Sequence, residues 1–425
     1  MRPITKKLLA MSLAGSLALA ACGDDDTDVA QSGGPAEVED TTPATESETE
    51  AQAEVASTES GAAELRAGLT SLLQEHVYLA GITVEAALDA GGDMEAPAVK
   101  AAAAALDENT VALSDAVASV AGEENGEAFK GLWREHIGFF VDYTLGKATG
   151  DQAMLDQALT DLDGYQEAAG AFFEEITGGE LPADALIESL EVHIDTLTAA
   201  IDALVAGDAT AFDKLQAAAD HMPMTANALA GAIVAAVPDQ FDGEVDSGAA
   251  ETRAVLTDLL QEHVYLAGIT VDQAVEAGGD MEAPAVQAAA ATLDGNTVEL
   301  AEVVGSVSTP EDQEAFLGLW RAHIGFFVDY TLGKATGDQA MVDQALTDLD
   351  GYQEAAGAFF EEITGGELPA EALIESLEEH ITTLTQAIDA VVAGDASAFS
   401  ELRQAGQHMP MAALALSSAI VAATS

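Results

Sequence analysis

After about residue 60, apolar side chains recur at three- and four-residue intervals along almost the whole chain, the spacing of one buried face on an α-helix. Leu69, Leu72 and Leu73 lead to Leu79, and Phe129, Leu132 and Trp133 lead to Phe139 and Phe140. Punctuation divides the first such stretch into six predicted helices, over Ala62–Ala90, Pro97–Val120, Glu127–Ala148, Gln152–Thr177, Pro182–Ala206 and Ala209–Ala236. Gly91-Gly92-Asp93, Gly122, Gly150-Asp151, Gly178-Gly179 and Gly207-Asp208 separate them, with Pro97 and Pro182 at first-turn positions. Abundant Ala, Leu, Glu and Gln favour helix throughout, and no segment alternates with the period of a strand. The pattern predicts an all-α protein.

The pattern occurs twice. Gly61 to Pro238 aligns with Gly248 to Ser425 without a gap at an offset of 187 residues, and 57 of the 60 residues from Leu132 to Glu191 recur from Leu319 to Glu378. Repeat 1 spans 61–238, a short acidic linker 239–247, and repeat 2 spans 248–425. Each repeat is long enough for its own core, so the sequence predicts two tandem six-helix antiparallel bundles, two bodies joined by a hinge rather than one fused core. A threefold pattern inside each repeat points further to three helical hairpins. Glu75-His76-Val77, Glu135-His136-Ile137 and Val192-His193-Ile194 each sit mid-helix, followed 17, 15 and 15 residues later by the turn aspartates Asp93, Asp151 and Asp208.

The beginning of the chain has a different character. Met1-Arg2-Pro3-Ile4-Thr5-Lys6-Lys7 is basic, and the apolar run from Leu8 to Ala21 is too short to span a bilayer, which predicts an export signal over 1–21. Leu19-Ala20-Ala21-Cys22 resembles the lipobox of bacterial lipoproteins. The resemblance implies that Cys22 is acylated, becomes the new N-terminus and anchors the protein in the lipid bilayer on the extracytoplasmic side of the cell envelope. Cys22 is the only cysteine, so no disulfide forms within one chain. Residues 22–60 are rich in Asp, Glu, Thr, Ser, Ala and Pro without an aromatic residue, a composition that reads as a disordered acidic tether.

Charge excludes one class of partner. The chain carries 13 basic and 75 acidic residues, a formal charge of -62, and loss of Arg2, Lys6 and Lys7 with the leader makes it more negative still. Such a chain does not bind nucleic acid or anionic lipid by charge. The acids are spread over many helix faces and no EF-hand loop is present, so the acidity reads as a salt-adapted, solvated surface rather than a multivalent calcium store.

The candidate chemistry is histidine. All eight lie in the repeats, at His76, His136, His193 and His221 and again at His263, His323, His380 and His408. Each falls on an apolar stripe, and mid-helix residues of an antiparallel bundle share one level, so the imidazoles are expected to converge in a buried polar layer. Asn109 and Asp163, with Asn296 and Asp350 in repeat 2, fall at the same level and are expected to fix the imidazole tautomers. Imidazole suits zinc, copper, nickel or iron. The thioethers of His221-Met222-Pro223-Met224, with Met409 and Met411 in repeat 2, shift the choice towards copper, and Pro223 is expected to kink its helix. Two other readings stand beside the metal site: a hydrogen-bonded network that fixes helix register in an alanine-rich bundle, and a pocket for haem or another apolar molecule.

No Glu-x-x-His, His-Glu-x-x-His, Cys-x-x-Cys-His, Gly-x-Ser-x-Gly or P-loop motif occurs, and the expectation is a protein that is not an enzyme. The segments Leu132-Trp133-Arg134-Glu135-His136-Ile137, His193-Ile194-Asp195-Thr196-Leu197-Thr198 and His221-Met222-Pro223-Met224 resemble those of an uncharacterised family of bacterial all-helical proteins with mid-helix histidines. Members carry His-x-His in the last two segments, where this chain has Glu191 and Ala219. The resemblance implies a helical fold and no particular activity.

Overall fold

The computed structural model describes residues 57–424, so the expected signal, Cys22 and nearly all of the tether lie outside the described residues. Among these residues every regular element is helical. Repeat 1 forms α1 (Gly61–Asp89), α2 (Pro97–Ala121), α3 (Glu123–Thr149), α4 (Gln152–Ile176), α5 (Ala183–Ala206), α6 (Ala211–Ala219) and α7 (Met222–Ala236). Repeat 2 forms α8 (Gly248–Glu276), α9 (Pro284–Val307), α10 (Pro310–Thr336), α11 (Gln339–Ile363), α12 (Ala370–Ala393) and α13 (Ala398–Thr424).

Local chemistry explains the ends. The Ser60 and Ser247 hydroxyls accept bonds from the N–H groups of Ala63 and Ala250 at the starts of α1 and α8, and Asp151 and Asp338 cap α4 and α11 in the same way. Each such cap contributes about 1 kcal/mol. Gly150 and Gly337 end α3 and α10 at φ values of 72° and 71°, in the left-handed region that a residue with a Cβ seldom adopts.

The repeats differ at the proline of the sixth helix. In repeat 1 the expected single helix breaks at Asp220 and His221, giving α6 and α7, whereas α13 continues through Pro410. A helical proline removes one backbone bond and crowds the carbonyl four residues earlier. That earlier residue is Ala219 in repeat 1 and Gly406 in repeat 2.

The two repeats share a core, which corrects the expectation of two bodies about a hinge. One cluster of buried side chains includes Leu69, Tyr78 and Trp133 from repeat 1 and Tyr265, Trp320 and Leu402 from repeat 2. Contacts between α1 and α8 join near-equivalent positions: Arg66 pairs with Glu251, Gln74 donates to Asp258, Tyr78 stacks on Tyr265, and Gln273 reaches Glu85. The two helices therefore run parallel. Seven consecutive residues of α1, Leu73 to Leu79, are buried, which requires neighbours on every side. The start of each sixth helix crosses to the other repeat, where Asp213 on α6 accepts from Thr292 on α9 and Arg403 on α13 donates to Glu108 on α2. The linker is tied down as well, since Asp242 accepts from the N–H groups of Gly61 and Ala62, and Val245 accepts from Arg66.

Candidate metal centres

Three helices of each repeat bring one imidazole apiece to a common point. His76 on α1, His136 on α3 and His193 on α5 are buried, and one ring nitrogen from each lies within 4.8 Å of the other two. His263 on α8, His323 on α10 and His380 on α12 repeat the arrangement. Nε2 of His76 is 3.3 Å from Nε2 of His136, and the same distance separates His263 from His323. Two nitrogens bound tetrahedrally to one ion, with bonds of 2.0–2.1 Å, stand about 3.3 to 3.4 Å apart. The third imidazole needs to close by at most about 1.5 Å.

Aromatic walls hold the rings. Tyr165 on α4 stacks on His136 with centroids 4.7 Å apart, and Trp133 packs 4.8 Å from His76 and 4.5 Å from His136. Tyr352 and Trp320 do the same in repeat 2. A cavity of about 60 Å³ beside the first triad is walled by His76, His193, Trp133, Tyr165, Phe173 and Met222. Its counterpart in repeat 2 holds about 40 Å³. Each takes a few atoms and neither accommodates a haem.

The environment keeps the imidazoles neutral. Burial, then the neighbouring His193, pulls His76 down to about 3, and burial, then His221, pulls His193 down to about 4. His263 and His380 follow at about 3 and about 4 for the same reasons. His136 and His323 are held well below the ordinary histidine range by burial and by their triad partners, against which the Trp133 and Trp320 carbonyls act. Neutral imidazole is the form that ligates a metal.

The fourth histidine of each repeat is engaged elsewhere, which corrects the four-imidazole layer. His221 Nε2 donates to the Ser189 carbonyl at 3.0 Å and contacts its hydroxyl, and His408 makes the same bond to Ser376 at 3.0 Å. A carbonyl only accepts, so Nε2 carries the proton and offers no lone pair. Met222 and Met409 are buried and line the two cavities, whereas Met224 and Met411, two residues further on, are 65% and 64% exposed and cannot ligate.

The expected tautomer-fixing residues are also displaced. Asp163 and Asp350 are exposed, because the buried stripe of α4 runs through Ala158, Leu162, Tyr165, Ala169 and Phe173. Asn109 and Asn296 are fully buried but donate to Glu75 and Glu262 and to the Leu72 and Leu259 carbonyls, not to imidazole. The nearest polar structure was missed in the sequence. Glu75 and Glu262, each beside a triad histidine, are wholly buried between the repeats, and the signal was a Gln-Glu-His run inside an otherwise apolar helix.

Comparison with protein families, with curated proteins and with solved structures finds no match for this chain. No described helix is long and apolar enough to cross a membrane.

Proposed function

We propose that each histidine triad binds one transition-metal ion, zinc or copper, so that the chain is a two-site metal-binding protein. The observation that carries this reading is the 3.3 Å approach of paired Nε2 atoms with a third imidazole beside them. A hydrogen-bonded network explains the same rings less well. It joins only two of the three rings, through the single His76–His136 N···N contact, and leaves the third without a bond to either, although buried polar groups are costly unless paired. One ion engages three lone pairs at once. Three protein ligands leave a coordination position open, and Met222 and Met409 in the adjoining cavities favour copper.

As part of the same proposal, the signal-like composition of residues 1–21 and the lipobox-like Cys22 support a lipoprotein held in the bilayer on the extracytoplasmic side of the envelope. Ion binding needs no reaction, and the proposed role is binding without catalysis.

The chain contains two tryptophans, one beside each triad. Titration of chelator-treated protein with Cu²⁺ should therefore quench the fluorescence in proportion to occupancy and saturate at two equivalents per chain, and elemental analysis after zinc loading should return the same count. Protein that retains no stoichiometric zinc or copper would overturn the proposal.

A further inference from the structure

The cavity beside the first triad is longer than its counterpart. Its wall passes from His76 and His193, in the middle of α1 and α5, to Leu65 near the start of α1 and to Val120 and Ile176 at the ends of α2 and α4. It therefore extends from the histidines towards one end of the bundle. The cavity of repeat 2 stays beside its triad, and no residue of α9 lines it. Val303 of α9 stands there in the place of Ala116, a wall residue of the first cavity.

Most of the first wall is Leu, Ile, Val and Phe, and the Ser189 and Thr225 hydroxyls on it are bonded to each other at 2.8 Å. One donor is unused. Trp133 belongs to the wall and packs against both His76 and His136, yet its buried indole N–H has no hydrogen-bond partner. Trp320 is in the same condition in repeat 2. A buried donor left unpaired is unfavourable, so this wall has a place for an acceptor.

Size and charge narrow the guest. An apolar cavity of about 150 Å³ stays dry and takes benzene or xenon, and in proportion one of about 60 Å³ takes about two heavy atoms. A charged guest would find no partner on this wall, and burying an unpaired charge is costly. We infer that the first cavity seats a small neutral diatomic molecule at the coordination position that the three imidazoles leave open, its outer atom accepting from the Trp133 N–H. This rests on the metal site proposed above. The inner atom gives a lone pair to the ion, no bond breaks and no electron is transferred. Met222 on the same wall favours copper(I), the soft state that takes such ligands.

The probe is carbon monoxide, added without air to Cu⁺-loaded His323→Phe, which removes a ligand of the second triad and leaves an aromatic ring in its place. Copper is counted first. Failure to retain it would overturn the metal site itself, whereas copper-loaded protein that binds no carbon monoxide would overturn this inference alone. One carbon monoxide per copper and a single C–O stretching band are expected. Ala169 is a buried wall residue, and Ala169→Val adds two methyl groups there. It should keep the copper and weaken carbon monoxide binding by about tenfold or more, the effect of overfilling a packed site. Trp133→Phe should keep both copper and carbon monoxide and move the band to higher frequency, because a hydrogen bond to the outer atom is lost. Binding unchanged by Ala169→Val, or a band unmoved by Trp133→Phe, would likewise overturn the inference.

Discussion

The Tyr352 ring lies nearly parallel to the His323 imidazole, with centroids 4.7 Å apart and an interplanar angle of 18°. Tyr165 backs His136 in the same way, so the second imidazole of each triad in chain order is clamped by a neighbouring helix and packed on its other sides by aromatic side chains. Clamping presents the nitrogens in one geometry and lowers the ordering cost of binding an ion.

It follows that phenylalanine fits in place of either clamped histidine. His136→Phe and His323→Phe keep an aromatic ring of similar volume, and each should change stability by less than about 1.5 kcal/mol. Each should also remove one of the two metal equivalents. In His136→Phe the residual copper quenching should come from Trp320 alone, because Trp133 stands only against the lost site. A variant that still binds two equivalents would show that the triads are not the ligands.

His221 is expected to behave differently. Its Nε2–H bond to the Ser189 carbonyl makes it a brace between α5 and the start of α7. His221→Ala should lower stability by about 1 kcal/mol, the net contribution of a typical hydrogen bond, and leave the metal count at two. Loss of one equivalent would instead make His221 a fourth ligand.

The helices were legible in the sequence because their chemistry is local. Gly150 closes α3, Asp151 caps α4, and the apolar stripe around His136 is intact. The inward direction of the histidines followed from the same stripes. What was not legible depended on distant partners. His221 left the expected layer because α5 presents a carbonyl to it, and Asp163 missed the layer because the buried stripe of α4 centres on Tyr165. The packing of α1 on α8 was hidden for another reason. Near-identical repeats do not reveal which copy a residue packs against, and the polar pair Gln74 and Glu75 reads as a solvated face until a second helix is placed upon it.

That packing makes Arg403 the guanidinium partner of a buried carboxylate. Glu75 is 1% exposed, and burial raises its carboxyl above the usual range while Arg403 counters the rise. Arg403→Met should destabilise by about 3 to 5 kcal/mol, the effect of leaving a buried charge without its partner. Adding Glu75→Gln should recover most of the loss. Denaturant unfolding of the two variants measures both quantities, and equal stability of the single and double variants would contradict the pairing.

Acid and alkali should act on different parts of the molecule. The unfolded chain protonates its histidines near 6.5, whereas His76 and His263 are held down to about 3 and His193 and His380 to about 4, by burial first and by a neighbouring imidazole second. Between those values the unfolded state binds more protons. The stability of the metal-free protein is therefore complete above about pH 6.5 for these groups and falls as the pH drops towards 4. Glu85 has the opposite sign. Burial, then Asp272, Asp89 and Glu276, pushes it up to about 8 from an ordinary value of 4.5, and Asp272 rises to about 6. Their contribution is present at low pH and is lost as the pH rises, through about 6 for Asp272 and about 8 for Glu85. Urea unfolding of metal-free protein should show stability declining on both sides of about pH 6. Glu85→Gln should make the alkaline limb shallower, the rest of it coming from Glu262 and Glu276, which burial pushes up to about 8 and about 7, while saturation with zinc, which binds only neutral imidazole, should steepen the acid limb and leave the alkaline limb alone. Stability that stays level between pH 6.5 and 4 would mean that the triad histidines titrate alike in both states.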